Sequence, residues 1–359
     1  RRDKGFMTDK PALPPSATNN LSTLVALATT SVAVLFFMRF GIKDVVFSLQ
    51  VLFAAYALPI MFYEFFVLKV HQRTSSGLDW SNPGPVNLHR IAIKLVGLAG
   101  TIGAVVLFHA LFRLYEVPFV LLPLKAFLGM LNWVLPISIA YVIMVDRRQI
   151  EPKDGLWHFG ALLLFRNPDP DYSRLKNYCM GWVVKGFFLP AMAGALMYRI
   201  TTFDDIQAQF ALGGVETVVA LTSFMIVIDL VIAVVGYSLT IRLFDAHIRS
   251  SNGFVMGWLI TLICYVPFNF VVFKMVFKYR TEQSWDVVIY DYPVLIAPWC
   301  AMVLLSYFIW LWATANFGIR FSNLTHRGII TGGPYRYSKH PDYVAKSCFF
   351  WLTAAPFLT

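Results

Sequence analysis

The chain is a succession of long apolar runs separated by short polar stretches. A polar, proline-bearing lead over residues 1–20 (Arg1, Arg2, Lys4, Lys10, then Pro11, Pro14 and Pro15) gives way to an apolar run from Leu21 to about Met38. Further runs fall near 45–68, 90–113, 117–145, 178–199, 215–241, 254–278 and 293–317, and a last one opens near Tyr343 and meets the end of the sequence at Thr359. A hydrocarbon core of about 30 Å needs about 20 apolar residues per helical crossing. The pattern therefore predicts an all-α, polytopic transmembrane helical bundle, with about eight full crossings and part of a C-terminal helical hairpin. The polar lead, with no small-residue cleavage site after the first run, favours a retained first helix over a secretory signal. Pro59, Pro136, Pro190, Pro267 and Pro298 lie inside runs and predict kinks rather than boundaries. The segment from Gly155 to Phe165 is too short to span and is expected to lie along the interface, near 155–170.

Composition agrees with the pattern. Of 359 residues 58% are hydrophobic and 14% charged, with a mean hydropathy of +0.62, which excludes an ordinary soluble enzyme, a disordered chain and a secreted disulfide scaffold. The excess of 30 Lys and Arg over 20 Asp and Glu gives a net charge of +10, read here as cationic loops against an anionic leaflet and not as a nucleic-acid footprint. Twenty of the Lys and Arg residues fall on the side of the runs that carries the N-terminal lead, against seven on the other. The N-terminus and the loop near 318–342 are thus expected in the cytoplasm. Cys179, Cys264, Cys300 and Cys348 stand singly, with no metal or disulfide spacing, and are expected to be free thiols.

Few residues in the runs suggest chemistry. Gly97, Gly100 and Gly103 follow no strand, so they read as small residues for close helix packing and not as a nucleotide loop. A P-loop, an H-E-x-x-H motif and paired catalytic carboxylates are missing from the sequence. Ionisable residues inside runs are functional candidates because each costs about 2.5–3.5 kcal/mol on insertion scales. Asp229 lies mid-run and is expected to pair with Lys185 across helices or to mark a polar cavity for a headgroup; Glu64 is expected to pair with Lys69 or to snorkel.

The most informative stretch runs from Asn316 to Tyr343, where composition turns abruptly polar, glycine-rich and aromatic. Gly332, Gly333 and Pro334 force a turn and let backbone amides approach a ligand. Pro341 suits the first turn of a helix, which puts His340 at an N-terminal edge that favours anions. Tyr335, Tyr337 and Tyr343 offer π faces to a cation, while Arg336 and Lys339 offer charge to a carboxylate or phosphate. A zwitterion fits this set.

Gly333-Pro334-Tyr335-Arg336, followed by Lys339-His340-Pro341 and Tyr343 and preceded by Gly328-Ile329-Ile330-Thr331, resembles the signature of the isoprenylcysteine carboxyl methyltransferases and related phospholipid methyltransferases. The resemblance covers about the last 45 residues, and the stretch containing Gly236-Tyr237 and His247-Ile248-Arg249-Ser250 has the look of a larger bacterial branch. It implies an integral-membrane enzyme of a bacterial inner membrane that uses S-adenosyl-L-methionine on a membrane lipid or prenylated acceptor, through a carboxylate or a headgroup. It further implies that Ile329 and Ile330 hold the adenine side by backbone groups, and that Tyr335, His340 and Tyr343 line the cofactor pocket. Gly333, Pro334 and Pro341 shape that pocket; Arg327 and Gly328 precede the hydrophobic pair, and Arg320 matches another cofactor contact. His340 and Tyr343 are the candidates nearest the chemistry, with Arg336, Lys339, Asp229 and Lys185 as candidates toward substrate. No metal is implied.

Two departures stand out. Lys339 replaces the more usual Arg before His-Pro, which keeps the charge but loses the bidentate fork. The family also continues through a second hairpin helix into an Arg- and Glu-bearing segment, so the sequence is expected to stop partway through that hairpin. The expected organisation is a tail over 1–20, a bundle of unassigned role over 21–290 and a methyltransferase-like core over 291–359. Two other classes fit the same pattern: a sterol-reductase-like enzyme using NADPH, and a lipid transporter or scaffold with Asp229 and Lys185 in its path.

Overall fold

The computed structural model describes residues 14–111, 118–166, 170–265, 268 and 284–354. Nearly all of the regular structure is helical: α1 (Asn20–Phe40), α2 (Val45–Phe62, running on into a π turn, Tyr63–Val67), α3 (Leu88–Leu111), α4 (Pro118–Asp146) and the short α5 (Gly155–Leu163). Then follow α6 (Tyr172–Thr201), α7 (Phe203–Leu212), α8 (Gly214–Ser238), α9 (Val255–Ile263), α10 (Pro293–Asn316) and α11 (Pro341–Ala354). Seven of these helices are long and apolar enough to cross a membrane: Asn20–Phe40, Val45–Val67, Leu88–Leu111, Leu121–Asp146, Tyr172–Thr201, Gly214–Ser238 and Pro293–Asn316. They coincide with seven of the eight expected runs. Of the remaining one, near 254–278, only α9 and its immediate end are described, and Pro267 lies outside the described residues, as do residues 1–13 and 355–359.

Helix boundaries follow local chemistry. Asn19 caps α1 by accepting from the Leu21 and Ser22 amides, Gly41 ends it at φ 60°, and Asp44, Asp154 and Asp171 cap α2, α5 and α6. The prolines at 59, 136, 190 and 298 sit within α2, α4, α6 and α10. After Pro59 the ladder widens into the π turn, which ends at Val67, and Lys69 then turns the chain at φ 47°.

The main core is formed by α1, α2, α6 and α8, with Val34, Phe37, Leu52, Tyr56, Leu196 and Val231 fully or almost fully buried. Large apolar side chains stand outward on α3, α4 and α10, such as Leu88, Trp133 and Val294 at 75%, 75% and 89% exposure, a surface suited to lipid. Gly97 and Gly160 let α3 and α5 touch backbone to backbone, since a Cβ on either would run into the other helix's carbonyl groups. Of the expected packing glycines, Gly100 faces Leu163 in the same contact, whereas Gly103 meets nothing. The amphipathic segment expected at the interface is thus α5, tied to the end of α3.

Two features add to the expected picture. The helix α7 follows α6 directly, and a two-residue antiparallel ladder joins β1 (Ser250–Ser251) to β2 (Thr325–His326).

Candidate functional site

Alternation of the spans brings the polar segments 14–19, 68–87, 147–166, 239–254 and 317–340 to one end of the bundle, where they bond to one another. Leu78 bridges Gln149, Ser75 donates to Asp245 at 2.6 Å, Arg73 donates to the Ala17 carbonyl at 3.2 Å, and Arg242 donates to the Ser76 carbonyl at 3.1 Å. These are the segments that carry the cationic excess.

The first half of the motif loop is locked onto this end by buried charge. Arg320 bonds Glu64 at 2.9 Å and donates to the Phe244 carbonyl at 2.9 Å, and both charged side chains are 1% exposed. The expected pairing of Glu64 with Lys69 is therefore replaced by a contact across 256 residues. Arg327 donates to the carbonyls of Ala246, Gly236, Phe321 and Leu239 at 2.6–3.1 Å. Burial and the nearby Arg320 push its pKa down to about 9, so it stays charged at neutral pH. The guanidinium groups expected to touch cofactor thus fasten the loop. The stretch from Gly236 to Ser250, which sequence reasoning could not assign, is the seat they fasten it to. Gly236 is needed there because a Cβ would meet the Phe321 carbonyl at 2.7 Å. Beside this seat, His247 is pushed down to about 3 by burial and by Arg242 and Arg249, which keeps the imidazole neutral. Asn323 completes the anchorage, donating to the Tyr237 and Tyr265 hydroxyls at 3.0 Å each.

The second half of the loop is open. Gly333–Arg336 forms one 3-10 turn, with Gly333 at φ 54° and packed on the Asn316 side chain. Pro341 begins α11, with His340 just before it and exposed. The His340 and Tyr343 rings lie 5.6 Å apart. Arg336 and Lys339 are exposed with no ion-pair partner among the described residues, and Tyr337 is 87% exposed. Tyr335 turns inward: its ring packs on Phe317 at 5.3 Å, and its hydroxyl is buried beside Asp342 with no hydrogen-bond partner, burial raising its pKa.

A cavity of about 290 Å³ lies between the N-terminal segment and the turn, lined by Pro14, Ser16, Asn20, Thr331, Gly332, Gly333 and Arg336. Of the sequence-named site residues, Gly333 and Arg336 line it; His340, Pro341 and Tyr343 do not. The Ile329 carbonyl accepts from the Ala17 amide at 2.8 Å and its side chain is half exposed, while Gly328, at φ 131°, sits against Ala17. The N-terminal segment was not foreseen as part of this region, because its residues carry no signal beyond polarity and proline.

A second polar group gathers between α8, α10 and α11. Asp229 of α8 interacts with Thr314 of α10 and Lys346 of α11, and one of its carboxylate oxygens is buried without a partner. Lys185 does not pair with it: its ammonium lies 4.1 Å over the Trp182 ring, one turn earlier on α6. Tyr343 and Tyr265 approach the same region from α11 and from the end of α9. No group of His, Cys, Asp and Glu suited to a metal occurs among the described residues, and the four cysteines are free.

No protein-family model matches the chain, and no match is found among curated proteins or solved structures. The functional reading therefore stands on the residues and their geometry.

Proposed function

We propose that the chain is an integral-membrane methyltransferase that takes S-adenosyl-L-methionine from the cytoplasm and delivers its methyl group to a lipid or prenylated acceptor entering from the bilayer. One observation carries the reading: the motif turn Gly333–Arg336 lines a polar cavity in a chain that also holds a buried polar group, around Asp229, between its apolar helices. A water-soluble donor suits the first of these, and the headgroup of a lipid acceptor the second. The charge asymmetry of the loops supports a cytoplasmic position for the cavity.

Methyl transfer from a sulfonium is an in-line displacement. The sulfur keeps the electron pair of the broken bond, so the protein's work is alignment and exclusion of water. Tyr335, packed on Phe317, and Tyr343, exposed in the first turn of α11, suit a sulfonium through their π faces. A carboxylate acceptor is already ionised and needs no base. An amine or hydroxyl acceptor needs one, and His340, next to Tyr343, is the candidate.

Calorimetry on the purified protein tests the reading. S-adenosylhomocysteine should bind, and His340→Ala should weaken that binding more than it lowers thermal stability. Binding of NADPH with none of S-adenosylhomocysteine overturns the assignment in favour of a reductase.

A further inference from the structure

The cavity has a wall that the motif does not supply. Residues 14–20 cross the mouth of the loop and are held there on both edges. The Ala17 amide donates to the Ile329 carbonyl at 2.8 Å, Thr331 donates through its hydroxyl to the Pro14 carbonyl at 3.0 Å, and the Thr331 amide reaches the Ser16 hydroxyl at 3.4 Å. Thr18 donates to the Asn316 carbonyl at 2.7 Å, and Arg73 clamps the Ala17 carbonyl from the other side. Main-chain bonds of this kind fix a segment in register, whereas a merely covering segment would rest on apolar contacts. Yet the space between strap and loop is left open, and every wall of it is polar or backbone apart from Pro14.

The chemistry of that lining is one-signed. It contains a guanidinium, two hydroxyls, a carboxamide and two glycines, and no carboxylate. Arg336 has no hydrogen-bond or ion-pair partner among the described residues, although Arg320 and Arg327 in the same loop are fully engaged. The two glycines let a ligand come within reach of the main chain.

We propose that residues 14–20 form a working wall of a ligand site, with Ser16 and Asn20 facing Arg336 across it, and that this site takes the anionic end of a cofactor. The shared chemistry is a carboxylate or phosphate held by the Arg336 guanidinium and the surrounding hydroxyl and amide donors. The carboxylate of a methionine moiety and the 2′-phosphate of a dinucleotide are its two sources. With the first as the ligand, the inference rests on the methyltransferase reading above.

The test titrates the full chain in lipid nanodiscs with two ligand pairs that differ only in the anion. They are S-adenosylhomocysteine against its decarboxylated analogue, and NADPH against NADH. The anionic member of one pair should bind at least about tenfold more tightly, and Arg336→Gln should abolish that preference. Ala17→Pro, which removes the N–H bonded to Ile329, should weaken binding of the preferred ligand while the melting temperature holds. Preference within the first pair supports both this site and the methyltransferase reading. Preference within the second alone keeps the site and removes the methyltransferase. Equal affinities in both pairs, no binding of any of the four, or a preference that survives Arg336→Gln overturns the proposal. A second measurement does not depend on the proline variant: in Ser16→Cys, the preferred ligand should slow alkylation of the thiol, and an unchanged rate removes the N-terminal segment from the site.

Discussion

Arg320 and Arg336 are separated by 16 positions in the same loop, and the structure uses them in opposite ways. The first is buried against Glu64 and the Phe244 carbonyl, at the centre of a charged layer that also holds Arg327 and neutral His247. The second is exposed at the edge of a cavity and has no partner among the described residues. In a loop rich in cations, the buried ones fix where the backbone goes, and the unengaged ones do not. Charge alone does not distinguish the two; the partner does.

The largest effect separating the two regions should come from Arg320→Met. It leaves the Glu64 carboxylate buried and uncompensated, which costs about 3–5 kcal/mol. A melting temperature in detergent that stays unchanged would erase the distinction between anchoring and open arginines. Pairing the change with Glu64→Gln should recover part of the loss, and the double-mutant cycle gives the coupling.

A smaller effect follows from His247, whose folded pKa is about 3 against about 6.5 for the free side chain. The unfolded chain binds the extra proton, so this contribution is complete above pH 6.5 and is lost as pH falls toward 3. At pH 5 the loss is on the order of 2 kcal/mol, and His247→Asn should flatten the stability profile in that window. An equally steep profile in the variant would show that the buried layer does not titrate through this residue.

Arg336→Gln should move stability least, within about 0.5 kcal/mol, because nothing in the fold depends on its guanidinium. Loss of ligand binding without loss of folding sharpens the contrast with Arg320. A large drop in melting temperature would place Arg336 with the anchors.

The helical architecture was legible in the sequence because a bilayer imposes a length and a composition on each crossing that few other structures share. The alternation of the runs likewise indicated which polar segments share an end, since successive spans reverse direction. The partners were not legible. Glu64 and Arg320 meet across 256 residues, and sequence distance offered Lys69 as the nearer choice. Asp229 and Lys185 lie in neighbouring helices as a pair of opposite charge, but the Lys185 ammonium sits over Trp182 of its own helix. The roles of Gly236 and of the Ala246 carbonyl, which seat the loop, rest on main-chain geometry that no residue type announces. The two-residue ladder is too short to leave a periodic signal.

The strap over the cavity also sets an order of events during synthesis. Ser16 and the Thr331 amide it contacts are 315 positions apart. At about 5–20 residues per second, the leading segment waits roughly 15–60 s for the loop that will hold it. Throughout that interval the growing chain can thread every intervening helix but cannot close its pocket. A chain interrupted before Thr331 therefore lacks the partners that hold residues 14–18 in place.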